Sequence, residues 1–251
     1  MIAALPMYDR PENAWAHDAL WARVRDGLRA RGLAAPDALD RLTPHDETWG
    51  RPDLLLGQIC NLPWRARHRD RVIVATADHG LPGAAPGLYH SWIVARASDT
   101  RPLPVLARRF AVNDALSNSG WDAAQRWAAA EGIALHPTLR TGSHRLSARA
   151  VATGAADLAS IDAVSWRGIL RWDPEAAALR VLAPTPATPG MTFIAAPGTD
   201  PAPLREALAG AIAAATPEER DALLGLRGLA DLPASAYDIP LPPAPTLPAA
   251  S

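Results

Sequence analysis

Four consecutive polar or small residues stand where a predicted strand meets a predicted helix: Ser117, Asn118, Ser119 and Gly120, within NDALSNSGW. The first turn of a helix carries free N–H groups and a partial positive charge, and nearby hydroxyls add further donors. This arrangement is typical of a site for an oxyanion. The same residue types also cap helices and permit turns, so plain capping is the alternative interpretation.

A second polar segment, Thr141-Gly142-Ser143-His144, precedes another predicted helix. Because a serine-bearing helix start recurs, we favour anion binding over plain capping. Asp162 ends a later strand. It either caps the helix that follows or faces the ligand. In the second role its carboxylate would accept a hydrogen bond from a protonated oxyanion, or pair with an amine on an organophosphonate, and would repel sulfate.

Hydrophobic periodicity predicts the elements that position these residues. Apolar runs indicate strands at 2–7, 53–57, 71–76, 91–96, 109–113, 135–141, 157–162, 179–182 and 191–196, and helical spacing indicates helices at 9–31, 122–131, 144–153 and 164–172. This alternation predicts an α/β fold with mainly parallel sheets. Ligands bind outside the carboxyl ends of such strands, so Tyr8 and Gln58 are further candidates.

Pro-rich breaks near residues 97–104 and 183–190 predict two lobes. Lobe 1 is expected to be discontinuous, with residues 1–96 plus 187–251, and lobe 2 to span 97–186. Residues 240–251 form a Pro-rich tail that we expect to be extended over the surface or disordered.

Composition excludes several classes of function. The net charge is −1, and all 25 basic residues are arginines, so no nucleic-acid or anionic-membrane partner is expected. The single cysteine, Cys60, lies in an apolar stretch and is expected to be a buried structural thiol. The N-terminus lacks a basic leader with a long apolar region. The protein as encoded is therefore expected in the cytoplasm, or in the periplasm if the true start lies upstream.

Three segments, in this order, resemble a known family: PGLYHSWIVAR, NDALSNSGW and TGSHRLSARAVATGAADLASIDAVSW. They are similar to motifs of the substrate-binding proteins of phosphate, phosphite and phosphonate ABC transporters. The resemblance spans most of residues 2–196. It implies a two-lobed, type 2 periplasmic-binding-protein-like fold with a ligand cleft between the lobes.

The resemblance also implies a ligand set. Ser117, Asn118 and Ser119 of NDALSNSGW, with the N–H of Gly120, would hold the oxyanion. The other implied ligand-facing residues are Tyr89, Ser143, His144 and Asp162. This chain departs from the family pattern in three places, since Asn118 stands where Thr is frequent, Ala115 replaces Pro, and His90 follows Tyr89. It also shows no export signal.

The expected function is reversible binding of a phosphate, phosphite or small phosphonate by a monomer, without catalytic residues, metal or cofactor. The expected partner is the membrane component of an ABC transporter. An alternative is a cytoplasmic enzyme of the same fold that acts on a small phosphorylated or cofactor-precursor molecule. Ser119, His144 and Asp162 have the residue types of a hydrolytic triad, although SNSGW is not a G-x-S-x-G elbow. A ligand-sensing module is a third possibility, but no DNA-binding or signalling domain is attached.

Overall fold

The computed structural model describes residues 1–247 and separates into two compact units. Unit 1 comprises Met1–Leu88 and Pro189–Asp238. Unit 2 comprises Tyr89–Thr188 and the chain that follows Ile239. The described chain therefore passes between the units at three points.

The first part of the chain builds most of unit 1. Its elements are β1 (Ile2–Ala4), α1 (Ala14–Arg29), α2 (His45–Gly50), β2 (Leu54–Ile59), α3 (Asn61–Arg67), β3 (Val72–Asp78) and β4 (Leu88–Tyr89). The middle of the chain builds unit 2. Its elements are β5 (Ser91–Arg96), α4 (Leu103–Leu106), β6 (Phe110–Val112), a π-helical turn (Asn118–Asp122), α5 (Ala123–Ala130), β7 (Pro137–Arg140), α6 (His144–Ala152), β8 (Leu158–Asp162), α7 (Ala163–Trp172), a 3-10 turn (Pro174–Ala178) and β9 (Leu179–Pro184).

The chain then returns to unit 1. The remaining elements are β10 (Thr188–Pro189), β11 (Thr192–Ala195), α8 (Pro201–Ala213), α9 (Pro217–Ala222), β12 (Gly228–Ala230) and α10 (Ala234–Tyr237). A capping box, which the Thr216-Pro217-Glu218-Glu219 pattern of the sequence indicates, begins α9. Glu219 N donates to Thr216 Oγ1 at 3.2 Å, and Thr216 N donates to Glu219 Oε2 at 2.8 Å.

Each unit has one five-stranded sheet. The order in unit 1 is β1-β2-β11-β3-β12, and the order in unit 2 is β7-β6-β8-β5-β9. Parallel pairs join β1 to β2, β6 to β7 and β6 to β8. The strands β5, β11 and β12 pair antiparallel with their neighbours. The α/β prediction is confirmed, but the sheets are mixed rather than mainly parallel.

The unit boundaries differ from the predicted lobes. We assigned residues 91–96 to lobe 1, but β5 lies between β8 and β9 and pairs with both, so it belongs to the sheet of unit 2. The chain first crosses at Leu88, rather than within 97–104, whereas the second crossing, at Thr188, lies within the predicted 183–190. The tail from Ile239 belongs to unit 2 and not to lobe 1. Residues 248–251 of the predicted tail lie outside the described residues.

Two apolar clusters cover the two faces of the unit 2 sheet. Ile93 and Ala95 of β5 join one cluster, and Val94 joins the other, as the alternation of side chains along a strand requires. The first cluster also contains Trp121 and Trp127, which follow the Ser117–Gly120 segment. Packing of Trp121 thus anchors that segment from its C-terminal side. Within residues 1–247, no helix combines the length and apolarity needed to span a bilayer.

Candidate functional site

The segment Ser117–Gly120, here called the serine loop, follows β6 and opens the π-helical turn of unit 2. Ser117 is the N-cap of that turn, and its Oγ accepts a hydrogen bond from Gly120 N at 2.9 Å. The carbonyl oxygen of Ser117 accepts from Trp121 N at 3.1 Å and from Asp122 N at 3.2 Å. Capping by Ser117 is therefore present, and it fixes the path of the loop.

The serine loop contacts the second predicted segment. Ser119 Oγ and His144 Nε2 are 2.8 Å apart and hydrogen-bonded. His144 is the first residue of α6, and Ser143 caps that helix by accepting from Leu146 N at 3.2 Å. Ser160 of β8 also holds the loop, because its Oγ donates to Ser119 O at 2.7 Å. Residues from two loops and one strand thus meet at Ser119.

His144 is held as a neutral imidazole. Burial lowers its pKa to about 4, because the charged ring loses hydration, and the nearby backbone of Ser160 offsets only part of this effect. A neutral ring has one donor and one acceptor nitrogen. If Nε2 carries the proton, it donates to Ser119 Oγ, and the hydroxyl hydrogen of Ser119 is left to donate elsewhere.

Asn118 points into the body of unit 2. It is 0% exposed, and its Nδ2 donates to Tyr89 OH at 3.1 Å and to Thr188 Oγ1 at 2.9 Å. Two predicted ligand residues, Asn118 and Tyr89, are therefore bonded to each other. The two hydrogen bonds connect the serine loop to Tyr89 and Thr188, the first and last residues of the Tyr89–Thr188 part of unit 2.

Gly120 is required by close packing. A Cβ built on Gly120 would lie 1.7 Å from Asn113 Oδ1 and 3.0 Å from Ser117 Oγ. The first distance is far inside van der Waals contact, so any side chain at position 120 would displace Asn113. The Asn113 carboxamide occupies the space that the glycine leaves open.

Asp162 acts as a helix cap. Its Oδ1 accepts from Val164 N at 2.6 Å and from Ser165 N at 2.9 Å, at the start of α7, and the residue is 0% exposed. These two hydrogen bonds of Asp162 are those of a helix cap. Its role towards a ligand stays a prediction.

Tyr8 and Gln58 belong to unit 1. Both are buried, and the ring of Tyr8 meets His79 edge-on, with centroids 5.1 Å apart. The other predicted site residues all belong to unit 2. The contacts described above join the serine loop to Tyr89 and His144.

A family model described as "ABC transporter, phosphonate, periplasmic substrate-binding protein" matches residues 56–234, which is more than half of the chain. The chain belongs to this phosphonate substrate-binding family. No curated protein sequence matches it.

Solved structures share the fold of this phosphonate-binding family member at low sequence identity. PhnD1 from Prochlorococcus marinus, in complex with methylphosphonate, has a TM-score of 0.67 and 15% identity over 94% of each chain. XAC2383 from Xanthomonas citri, bound to ATP, has a TM-score of 0.65 and 16% identity over 94% of this chain and 92% of its own. A binding protein component of an ABC phosphonate transporter (PA3383) from Pseudomonas aeruginosa has a TM-score of 0.63 and 16% identity, over 91% and 79%. These proteins support a periplasmic-binding-protein fold for the chain.

Sequence reasoning missed three residues that shape the candidate site. Asn113 packs on Gly120, Ser160 holds the Ser119 carbonyl, and Thr188 bonds Asn118. Asn113 stands in the quoted motif, and Ser160 alternates with Asp162 on β8, so each had a local indication. Thr188 had none, because it lies 70 residues from Asn118 in the sequence.

Proposed function

We propose that the protein reversibly binds a phosphonate, phosphite or phosphate group at the serine loop and His144 of unit 2, and that it serves an ABC transporter. The hydrogen bond between Ser119 Oγ and His144 Nε2 carries this proposal. It brings together the two serine-bearing helix starts that the sequence indicates as anion-binding segments. The family to which the chain belongs and the methylphosphonate in PhnD1 support a phosphonate ligand.

The hydroxyl groups are arranged as donors. Ser117 Oγ accepts from Gly120 N, Ser143 Oγ accepts from Leu146 N, and Ser119 Oγ is hydrogen-bonded to His144. A hydroxyl that accepts one hydrogen bond still has its own hydrogen to donate. When His144 donates through Nε2, all three serines can donate to one oxyanion. A phosphonate can be held in this way by neutral donors, since such bonds to an ion are about twice as strong as neutral ones.

The low pKa of His144 supports binding without chemistry. The Ser119–His144 pair also favours a second candidate, a hydrolase with Ser119 as nucleophile. A general base works best with a pKa near the operating pH, and a pKa of about 4 makes His144 a poor base at neutral pH. Moreover, within residues 1–247 no side chain hydrogen-bonds His144 Nδ1, and Asp162 Oδ1 is bonded to the backbone of α7. The triad geometry is therefore incomplete.

Titration calorimetry with methylphosphonate, phosphite, phosphate and sulfate tests the proposal. Ser119→Ala should weaken the best ligand by one charge-assisted hydrogen bond, about 1.5–3 kcal/mol, or roughly 10- to 150-fold. The matched control is Ser235→Ala, because Ser235 is exposed in α10 of unit 1. Equal affinity in the two variants would mean that the serine loop only caps the π-helical turn and does not bind the ligand. Release of a new product from a phosphate ester by the wild type, lost in Ser119→Ala, would favour the hydrolase.

A further inference from the structure

Two buried carboxamides at the end of β2 have side-chain atoms without a hydrogen-bond partner among the described residues. Gln58 is 6% exposed and Asn61 is 1% exposed. Three of their side-chain atoms are buried without a hydrogen bond to any of residues 1–247: Gln58 Oε1, Asn61 Oδ1 and Asn61 Nδ2. Buried polar side-chain atoms nearly always have a partner, because an unpaired one costs its full desolvation. An amide with neither end paired therefore points to a partner outside the protein chain.

Asn13 in the same unit shows that this fold can satisfy a buried asparagine. It is 0% exposed. Its Nδ2 donates to Tyr8 O at 3.1 Å and to Ala222 O at 2.8 Å, and its Oδ1 accepts from Arg10 N at 2.8 Å. Asn13 and Asn61 thus have the same side chain and similar burial, but opposite hydrogen-bonding states. Burial alone does not explain the unpaired atoms of Asn61.

The unpaired carboxamides stand where sheets of this type bind ligands. Gln58 is near the end of β2, and Asn61 begins α3 directly after it. In the sheet, β2 lies between β1 and β11, and β3 follows β11. The residues that follow β1 and β3 contact each other through the edge-on rings of Tyr8 and His79. This is the carboxyl edge of the parallel pair β1–β2.

We propose that Gln58 and Asn61 form a binding site in unit 1 for an uncharged group that both donates and accepts hydrogen bonds, such as a carboxamide or a hydroxyl. The unpaired atoms are two carbonyl acceptors and one NH2 donor, and none of them is charged. A carboxamide complements this set, since its NH2 can donate to the carbonyl oxygens while its own oxygen accepts from Asn61 Nδ2. The site goes beyond the proposed oxyanion site and does not depend on it.

Stability of matched variants gives the first test. Asn61→Leu has similar volume and removes unpaired polar atoms, so the apparent Tm of the ligand-free protein should stay the same or rise. Asn13→Leu removes three made hydrogen bonds and should lower the Tm clearly. A comparable loss in both variants would show that Asn61 is paired within the folded chain, and would overturn the proposal. Gln58→Leu, which removes one unpaired acceptor, serves as the second variant.

Direct binding gives the second test and uses the wild-type chain. Glycolamide carries both a carboxamide and a hydroxyl, and its titration can be followed through the side-chain NH2 resonances in 15N NMR spectra. We expect a saturable shift of the Asn61 resonances, with a Kd on the order of millimolar for a few neutral hydrogen bonds, while the Asn13 resonances stay in place. An unmoved Asn61 would mean that the amide holds a buried water only. A parallel titration with methylphosphonate reports on the serine loop, so failure of one site is distinguishable from failure of the other.

Discussion

The polar residues at the carboxyl edges of the two sheets are organised in different ways. In unit 2, the serine loop, Tyr89 and His144 are joined by hydrogen bonds of 2.8–3.1 Å. In unit 1, Gln58 and Asn61 have buried atoms without partners among the described residues. The first edge is preorganised, so a ligand at the proposed site would meet donors already in place. The second edge can gain more from a partner, because binding would satisfy groups that are already desolvated.

Gly120→Ala should have the largest effect on the preorganised edge. The new methyl group would lie at the place of Asn113 Oδ1, so the serine loop must move. Losing two hydrogen bonds to the oxyanion costs about 3–6 kcal/mol together, which is a hundredfold or more in Kd. Calorimetry with methylphosphonate measures it. Gly210→Ala in α8 is the control, because a Cβ there meets nothing within 4 Å. Equal binding by both variants would contradict the rigid arrangement.

Asp162→Asn should have the next largest effect, and it separates a cap from a ligand contact. Asn keeps the oxygen that accepts from Val164 N and Ser165 N, and it caps helices as well as Asp does. Removing the charge should admit sulfate more readily and weaken the cognate ligand, changing their affinity ratio on the order of tenfold. Competition binding in both proteins measures this ratio. If the ratio stays constant, Asp162 is a helix cap alone.

His144 should make stability depend on pH. Its pKa is about 4 in the folded chain, below the ordinary value of 6.5, so the unfolded chain binds more protons between these values. The free energy of unfolding is therefore fully retained above about pH 6.5 and falls as the pH drops towards 4. His144→Gln should reduce this slope. Urea unfolding of both proteins at neutral pH and at about pH 5 measures the change in unfolding free energy with pH. An identical change in the wild type and in His144→Gln would mean that the ring is not buried in solution.

Trp121→Phe should have the smallest effect. It removes the hydrogen bond in which Trp121 Nε1 donates to Pro243 O at 2.7 Å, while an aromatic ring remains in the cluster. The expected loss of unfolding free energy is that of one neutral hydrogen bond, about 0.5–1.5 kcal/mol. A far larger loss would indicate that a Phe ring does not replace the packing of the indole in this cluster.

Local sequence patterns predicted the elements better than their pairing. The runs RVIVAT and SWIVAR are rich in β-branched residues and form β3 and β5. The Thr216 and Glu219 pattern indicates the start of α9. The sheet to which β5 belongs could not be read locally, because its partners β8 and β9 follow much later in the chain. The same limit applies to the site. The motif indicated the serine loop, whereas the bond from Asn118 to Thr188 depends on tertiary structure.

The tail contact of Trp121 has a consequence for the order of folding. Pro243 follows Trp121 by 122 residues, and Leu247 packs on the same cluster. During synthesis, unit 2 can form its sheet once β9 has emerged. Pro243 and Leu247, which contact Trp121 and its cluster, are made only after the last residue of unit 1, Asp238. Contacts of such long sequence separation slow folding, and domains otherwise form as successive units from the N-terminus. The last step of folding would then be the closure of the tail over Trp121, and a chain paused before Pro243 would have the unit 2 sheet without the hydrogen bond from Trp121 to the tail.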